Sequence, residues 1–112
     1  MSRGDIVLAV VPFTDLGATK IRPVVVVSSD EFSRREDRIV VPISSSVSNL
    51  SVLDVAANPS DAGFAQTGLH RPSTFKCGNI ITLNATLIKR RLGRADSYLP
   101  GIEARLRQAL SL

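Results

Sequence analysis

The sequence predicts a mainly β domain that ends in a single helix. Five or six short strands would form a small, strongly bent, mainly antiparallel sheet or a partly open barrel. Three observations lead there. Apolar runs of strand length, rich in Val and Ile, recur along the chain. Clusters of Gly, Pro, Asn, Asp and Ser separate them at short intervals. Only the last segment spaces its apolar residues as a helix does.

The first strand is Ile6 to Val11, a nearly continuous apolar run that Pro12 closes. Phe13 to Thr19 mixes Asp and Gly with small polar residues and reads as a loop. Lys20-Ile21-Arg22 then leads into Pro23 and four valines, Val24 to Val27. A run with no polar face predicts a strand buried on both sides. Pro23 fixes φ and offers no N–H, so the expected start of this strand is Pro23. Ser29 or Asp30 can cap a short helix at Phe32. Ile39 to Ile43 predicts the third strand, with Pro42 marking an edge or a bulge.

Ser51 to Val55 alternates weakly and predicts another strand, before a turn at Asn58 to Gly63. Thr74 to Ile81 predicts the next, and Asn84 is placed to cap a helical turn through Leu87-Ile88. In the final segment Ile102, Leu106, Ala109 and Leu110 fall at i, i+4, i+7 and i+8, and Pro100 suits a first turn. This helix is expected to pack across a barrel opening or a dimer seam.

The 112 residues suffice for one domain, 1–112, and 44% of them are hydrophobic, so a packed core is expected. There is no apolar run of membrane-spanning length and no signal-peptide pattern. The single cysteine, Cys77, excludes an intrachain disulfide framework, and a reducing cytoplasm is the natural setting. Net charge is +4 and unevenly placed. From Ala62 to Ala95 there is no acid, yet the window holds His70, Arg71, Lys76, Lys89, Arg90, Arg91 and Arg94. Such a window points to an anionic partner, nucleic acid first, or else to a plain solvated basic face. With few aromatics and no Trp, a base-stacking platform is not expected.

No Cys/His cluster, paired-carboxylate motif or phosphate-binding glycine loop is present, so neither a metal nor a cofactor is expected. What remains is a set of cations and hydroxyls at strand ends: Arg22, Ser44, Ser45, His70, Arg71 and Lys76. That set suits RNA cleavage, because RNA carries its own nucleophile, the 2′-hydroxyl. The enzyme need only move protons and neutralise charge on the phosphorane, and a guanidinium can do the latter bidentately. Each residue also has a structural role open to it. Arg22 can pair with Asp5 or Asp15, Ser44 can satisfy backbone after Pro42, and His70 can be a loop residue whose ordinary titration range happens to suit acid–base work. Lys76 can be a solvated strand position and Cys77 core.

Taken together, Arg3-Gly4-Asp5-Ile6-Val7, Arg22-Pro23 with its valines, Pro42-Ile43-Ser44-Ser45, Pro72-Ser73, Thr82-Leu83 and Arg91-Leu92-Gly93-Arg94 resemble the MazF/PemK toxins of type II toxin–antitoxin systems. The resemblance covers essentially the whole chain, and Pro12-Phe13-Thr14-Asp15 is similar to one sub-branch. It implies an SH3-like β-barrel with a C-terminal helix, a homodimer, and a metal-independent, sequence-selective endoribonuclease. Single-stranded RNA, usually mRNA, would be cut to 2′,3′-cyclic phosphate and 5′-hydroxyl ends. A cognate antitoxin would block the groove with an acidic tail. Arg22 matches the family's catalytic arginine, Ser44 stands where many members have a catalytic threonine, and Lys76 falls near an arginine tied to acid catalysis. Lys20, Ser45, Arg71 and Lys76 are the expected RNA contacts, with His70 a further catalytic candidate. Gly78 departs from the pattern: many members carry there an aspartate that serves as a base. Gly17-Ala18-Thr19-Lys20 likewise replaces a common Glu-Gln element. The alternative function is a catalytically weakened or non-catalytic binding protein on the same fold, either an RNA binder or a gyrase poison. The gyrase-poisoning toxins use a Trp-containing tail, which this chain lacks.

Overall fold

The computed structural model describes residues 1–12, 19–46 and 50–112. Seven strands form one antiparallel sheet: β1 (Asp5–Pro12), β2 (Thr19–Val26), β3 (Asp37–Ser44), β4 (Asp54–Ala57), β5 (Ser73–Lys76), β6 (Ile81–Asn84) and β7 (Ile88–Arg94). One helix, α1 (Leu99–Leu110), follows. The strand order is β4-β5-β3-β2-β1-β7, with β6 beside β3. β3 is the branch point. Its first half pairs with β6, and its last two residues, Ile43 and Ser44, pair with Phe75 and Thr74 of β5. Among the described residues β4 and β7 stand at the two ends without pairing to each other, so the sheet is bent but open and not a closed barrel.

The valine run divides two cores, as its lack of a polar face predicts. Val25 and Val27 point into a cluster with Ile6, Val41, Ile43, Phe75 and Cys77. Val24 and Val26 point the other way, to Val7, Ala9, Val11, Val40 and Leu83. Each fully buried valine contributes about 1.5–3 kcal/mol relative to an exposed one. Ile102 of α1 is fully buried in the first cluster, with Leu106 partly buried beside it. Tyr98, just before the helix, packs on Phe75 with ring centroids 5.4 Å apart and donates to Asp61 at 2.7 Å. Ala109 and Leu110 stay exposed, so only the first half of the expected apolar stripe is covered.

Two widely separated motifs interlock. Asp5 is buried and accepts from Arg91 Nε at 3.0 Å, from Arg94 Nη1 at 2.8 Å and from the Ser2 N–H at 2.8 Å. Burial alone would raise its carboxyl, but these hydrogen bonds and the charge of Arg91 hold it below the usual value. Gly4 turns the chain at φ +94°, and a Cβ there would lie 2.7 Å from Arg94 Nη2. Gly93 lets the backbone of Gln66 and Thr67 close on β7, its Cβ position being 2.3 Å from Gln66 O.

Several expected boundaries move. β2 begins at Thr19, and Pro23 lies inside it, opposite Leu8. The missing N–H is tolerated because β3 pairs with β2 only from Val24 onward, which leaves that stretch of β2 as an edge. Pro42 sits where β3 passes from β6 to β5, in keeping with its predicted edge or bulge. The strand expected over Ser51 to Val55 starts only at Asp54, because a turn over Val52-Leu53 lets the Asp54 carboxylate accept from the Ser51 N–H at 2.8 Å. The strand expected over Thr74 to Ile81 is two strands, β5 and β6, with a turn at Cys77-Gly78. The five or six strands expected are seven, because β7 carries the basic run Lys89-Arg90-Arg91, which hides the strand from an apolar pattern. The capped turn at Asn84 is present: its side chain accepts from Thr86 N at 2.9 Å. Ser29 Oγ accepts from Phe32 N at 3.1 Å, but the short helix Phe32–Arg34 has Glu31 at its N-cap with no side-chain cap, so neither Ser29 nor Asp30 holds the expected capping position. The loop expected from Phe13 lies outside the described residues as far as residue 18, as do Asp15 and residues 47–49. No helix among the described residues is long and apolar enough to cross a membrane.

Candidate active site

Strand pairing assembles the candidate residues into rows. Opposite residues in an antiparallel sheet point to the same face. Ala9 of β1 lies opposite Arg22 of β2. Ser44 of β3 lies opposite Thr74 of β5, and Thr74 opposite Ala56 of β4. The β2–β3 pairing ends at Val24–Pro42, and Arg22 and Ser44, each two residues beyond it, lie on the same face as that pair. Ala9 and Arg22 therefore form one row on β1 and β2, and Ser44, Thr74 and Ala56 form another on β3, β5 and β4, on the same face. The row beside them runs Val7, Val24, Pro42, Lys76, Asp54, by the same pairings and one step of the β3–β5 register. These rows share the face on which Val7, Ala9 and Val24 build the second core. At Ile43, β3 turns away from β2 toward β5, so Arg22 and Ser44 stand at the mouth of a divergence between two strands.

Each group has a defined setting. Arg22 and Lys20 are exposed on β2. Ser44 is half-buried, and its Oγ accepts from the Ser46 N–H at 3.1 Å, a local turn that leaves the hydroxyl hydrogen to donate elsewhere. Thr74 is fully buried and its hydroxyl donates to Ser46 O at 3.4 Å, bracing the same turn from the next strand. Ser45 is exposed at its outer edge. Lys76 Nζ donates to Asp54 Oδ2 at 2.8 Å, with Lys76 about one-third exposed (32%) and Asp54 nearly buried (3%). Burial would raise the Asp54 carboxyl, but the hydrogen bonds from Lys76 and the Ser51 N–H hold it low.

Thus Arg22, Ser44 and Lys76 share one face of the sheet, on β2, β3 and β5. Asp5, one of the two acids considered for Arg22, is instead committed to Arg91 and Arg94. His70 and Arg71 are exposed on the approach to β5, where Ser73 Oγ donates to Arg71 O at 2.9 Å. Extending the β3–β5 register puts Ser45 level with Ser73, so Arg71 flanks the row. Among the described residues no hydrogen bond ties His70 to it. The acid-free window does not fold into one patch. Lys76 on β5 and Lys89, Arg90 and Arg91 on β7 are separated by β3, β2 and β1, and Arg91 and Arg94 are neutralised by Asp5 and Asp96.

Two residues on this face carry no functional signal of their own in the sequence. The sequence marks Thr74 only as part of a strand, although it precedes Lys76 by two and so shares its face. It predicts Asp54 inside a strand starting at Ser51. An Asp three residues after a Ser is a turn signal that could have found it.

A guanidinium and a hydroxyl are donor types that can hold a phosphate ester. The chain belongs to the family of PemK-like, MazF-like toxins of type II toxin–antitoxin systems, whose model matches residues 2–110. Among solved structures it is similar to the toxin MazF-mt6 of Mycobacterium tuberculosis, at 24% identity and a TM-score of 0.74, with 96% of this chain and 97% of that one covered. It is also similar to an endoribonuclease in complex with its cognate antitoxin from mycobacterial species, at 24% identity and a TM-score of 0.73, covering 100% and 96%. MazF in a MazE–MazF complex from Deinococcus radiodurans matches at 16% identity and a TM-score of 0.73, covering 100% and 97%. Comparison with curated proteins by sequence found no match.

Proposed function

We propose that this toxin is an endoribonuclease that cuts single-stranded RNA, mRNA in the cell, by attack of a 2′-hydroxyl on the adjacent phosphate. The observation that supports this reading is that Arg22 and Ser44 share one face just beyond the last paired residues of β2 and β3, within a chain of this toxin family. The 2′-oxygen bonds to phosphorus and its proton leaves to solvent. The bond from phosphorus to the 5′-oxygen breaks, and that oxygen takes a proton from water. The products are a 2′,3′-cyclic phosphate and a 5′-hydroxyl.

Arg22 spans two non-bridging oxygens and neutralises the charge that grows on them. Ser44, whose Oγ already accepts from Ser46, donates its hydrogen to one of the same oxygens. Lys76 supplies a second cation on the face, and Lys20, Ser45 and Arg71 line the path of the strand. We assign His70 no step. None of these roles calls for a metal. The working form is a cytoplasmic homodimer, silenced by a cognate antitoxin. The complexes known for relatives from mycobacteria and Deinococcus support that partner.

The test is cleavage of a long single-stranded RNA in EDTA by wild type and Arg22→Ala side by side. Wild type should cut at a few defined sites and leave cyclic phosphate ends, and the variant should be inert while remaining folded. Intact RNA with folded wild type, or equal cleavage by both, overturns the reading.

A further inference from the structure

We infer that Asp54 is a positioning residue that fixes Lys76 as the anchor for a substrate phosphate next to the one that is cleaved. The inference rests on the RNA-cleaving reading above and assigns one more subsite to it. Lys76 shares a face with Ser44 and lies one row along from it on the next strand, while Arg22 lies on β2 beyond the end of its pairing with β3. The tether to Asp54 draws the ammonium toward β4, on the side of β5 away from β3 and Arg22, which suits a neighbouring linkage of the same RNA strand.

The ion pair explains why Lys76 can act at a fixed place. A lysine ammonium has three donors on a flexible stem. One donor goes to Asp54 Oδ2 at 2.8 Å, so the nitrogen is held and the others point away from the carboxylate. Asp54 is itself immobile: its carboxylate is 3% exposed and the same Oδ2 accepts from the Ser51 N–H. Asp54 is too enclosed to meet substrate and acts only through Lys76. The ordering cost of the lysine is met before RNA arrives, which is preorganisation.

A neutral end strand would do as well for the fold. A buried carboxylate with one lysine partner gains little net stability over an apolar pair. Simple charge counting and positioning also make opposite predictions. Asp54→Asn removes a negative charge, so by charge alone RNA should bind more tightly. By positioning it should bind more weakly, although Asn can still accept from the Ser51 N–H.

The experiment uses the full toxin and a short single-stranded RNA spanning a cleavage site mapped with wild type. One version carries a 2′-O-methyl group at the attacked position to block cleavage, and Kd is read over a range of salt. Wild type should bind it. Asp54→Asn and Lys76→Ala should each weaken binding about tenfold, the worth of one charge-assisted hydrogen bond. Lys76→Ala should lower the salt slope by about 0.7, one phosphate on a single strand. On cleavable RNA both variants should raise KM and leave kcat nearly unchanged. A methylphosphonate, which removes the charge of a single linkage, should reproduce the loss in wild type at one flanking position and have no further effect in Lys76→Ala.

Tighter binding by Asp54→Asn overturns the proposal. So does a fall in kcat that disappears when sulfur replaces the leaving 5′-oxygen, because that pattern marks Lys76 as a proton donor. Wild type that neither binds nor cuts RNA overturns the underlying reading, and this one with it.

Discussion

Arg94 donates to the buried carboxylate of Asp5 at 2.8 Å across 89 residues of chain. With Arg91 on the same oxygen, it joins the motif that opens the chain to the motif that closes the sheet. Both motifs belong to the set that makes the family recognisable, and both act in the scaffold, away from the row that holds Arg22. Asp5→Ala should therefore weaken the fold and spare the chemistry. The two arginines are partly solvated, 50% and 31% exposed, which limits the cost of orphaning them. The loss should be about 2 kcal/mol, a drop in Tm on the order of 8 °C. Calorimetry gives the drop. Cleavage per folded molecule at low temperature should match wild type, and a matching loss of activity would move Asp5 into the site.

Two enclosed carboxylates, Asp5 and Asp54, make stability sensitive to acid. Asp5 and Asp54 titrate below their ordinary value of 3.8 in the folded state. A depressed folded value means the stabilisation is fully present above the unfolded value and is lost as pH falls through the folded one. Stability should thus be flat from neutral pH down to about 5 and fall below about 4. Asp5→Asn should flatten that acid limb in urea titrations at stepped pH. An unchanged limb would place the acid sensitivity elsewhere.

Cys77 is fully buried between the sheet and α1. Burial pushes its thiol up to about 11, the charge of Asp54 adds to this, and Arg105 offsets part of it. A thiolate at pH 8 is therefore scarce, and access is closed as well. Iodoacetamide should leave the native toxin unmodified at pH 8 and label it fully in guanidinium, as read by mass spectrometry. Rapid labelling of native protein would show that this core opens.

Much of this was legible in the sequence where one physical signal dominated. The four valines announced a strand buried on both sides, and they divide two cores. Asn84 announced its capped turn, and Pro100 the start of the helix. Sequence failed where tertiary pairing outweighed local pattern. Pro23 looks like a strand start, but the start of β2 is set by pairing with β1 through to Pro12. β7 looks like a polar turn because its arginines meet a buried acid contributed by residue 5. Arg22 and Ser44 were readable as candidates, while their shared face at the end of the β2–β3 pairing depends on a register between strands. Asp54 and Thr74 became visible only with that register.

Ser44 retains the hydroxyl that the family resemblance assigns to a threonine. Its Oγ accepts from the Ser46 N–H. A β-branched side chain would narrow its χ1 choices further. Ser44→Ala should lower kcat by about 10²-fold, as when one stabilising donor is removed from a developing oxyanion. Ser44→Thr should match or exceed wild type. Single-turnover rates on one defined RNA separate the two. Full activity in Ser44→Ala would remove Ser44 from the chemistry and leave it the role of bonding the Ser46 backbone.

Gly78 offers the sharpest test of what this chain lacks. It sits in the exposed turn after β5, two residues beyond Lys76, where related toxins are expected to carry a basic aspartate. Its φ lies outside the left-handed region, so a side chain brings no backbone strain. A Cβ would stand 3.3 Å from Leu53 Cδ1 and 3.9 Å from Leu53 Cβ, and the first contact is the end of a partly exposed side chain that can shift by a few tenths of an ångström. Gly78→Asp should therefore fold. If proton removal from the 2′-hydroxyl limits the wild-type rate, the variant should raise kcat by about tenfold or more, toward the 10²–10⁴ of a placed base. Its rate should also gain an acidic limb near pH 4, where an aspartate titrates. A folded Gly78→Asp with unchanged kcat and no new limb would mean that the position is not within reach of the 2′-hydroxyl. Catalysis would then rest on charge neutralisation by Arg22 and the hydrogen bond from Ser44, with solvent as the base.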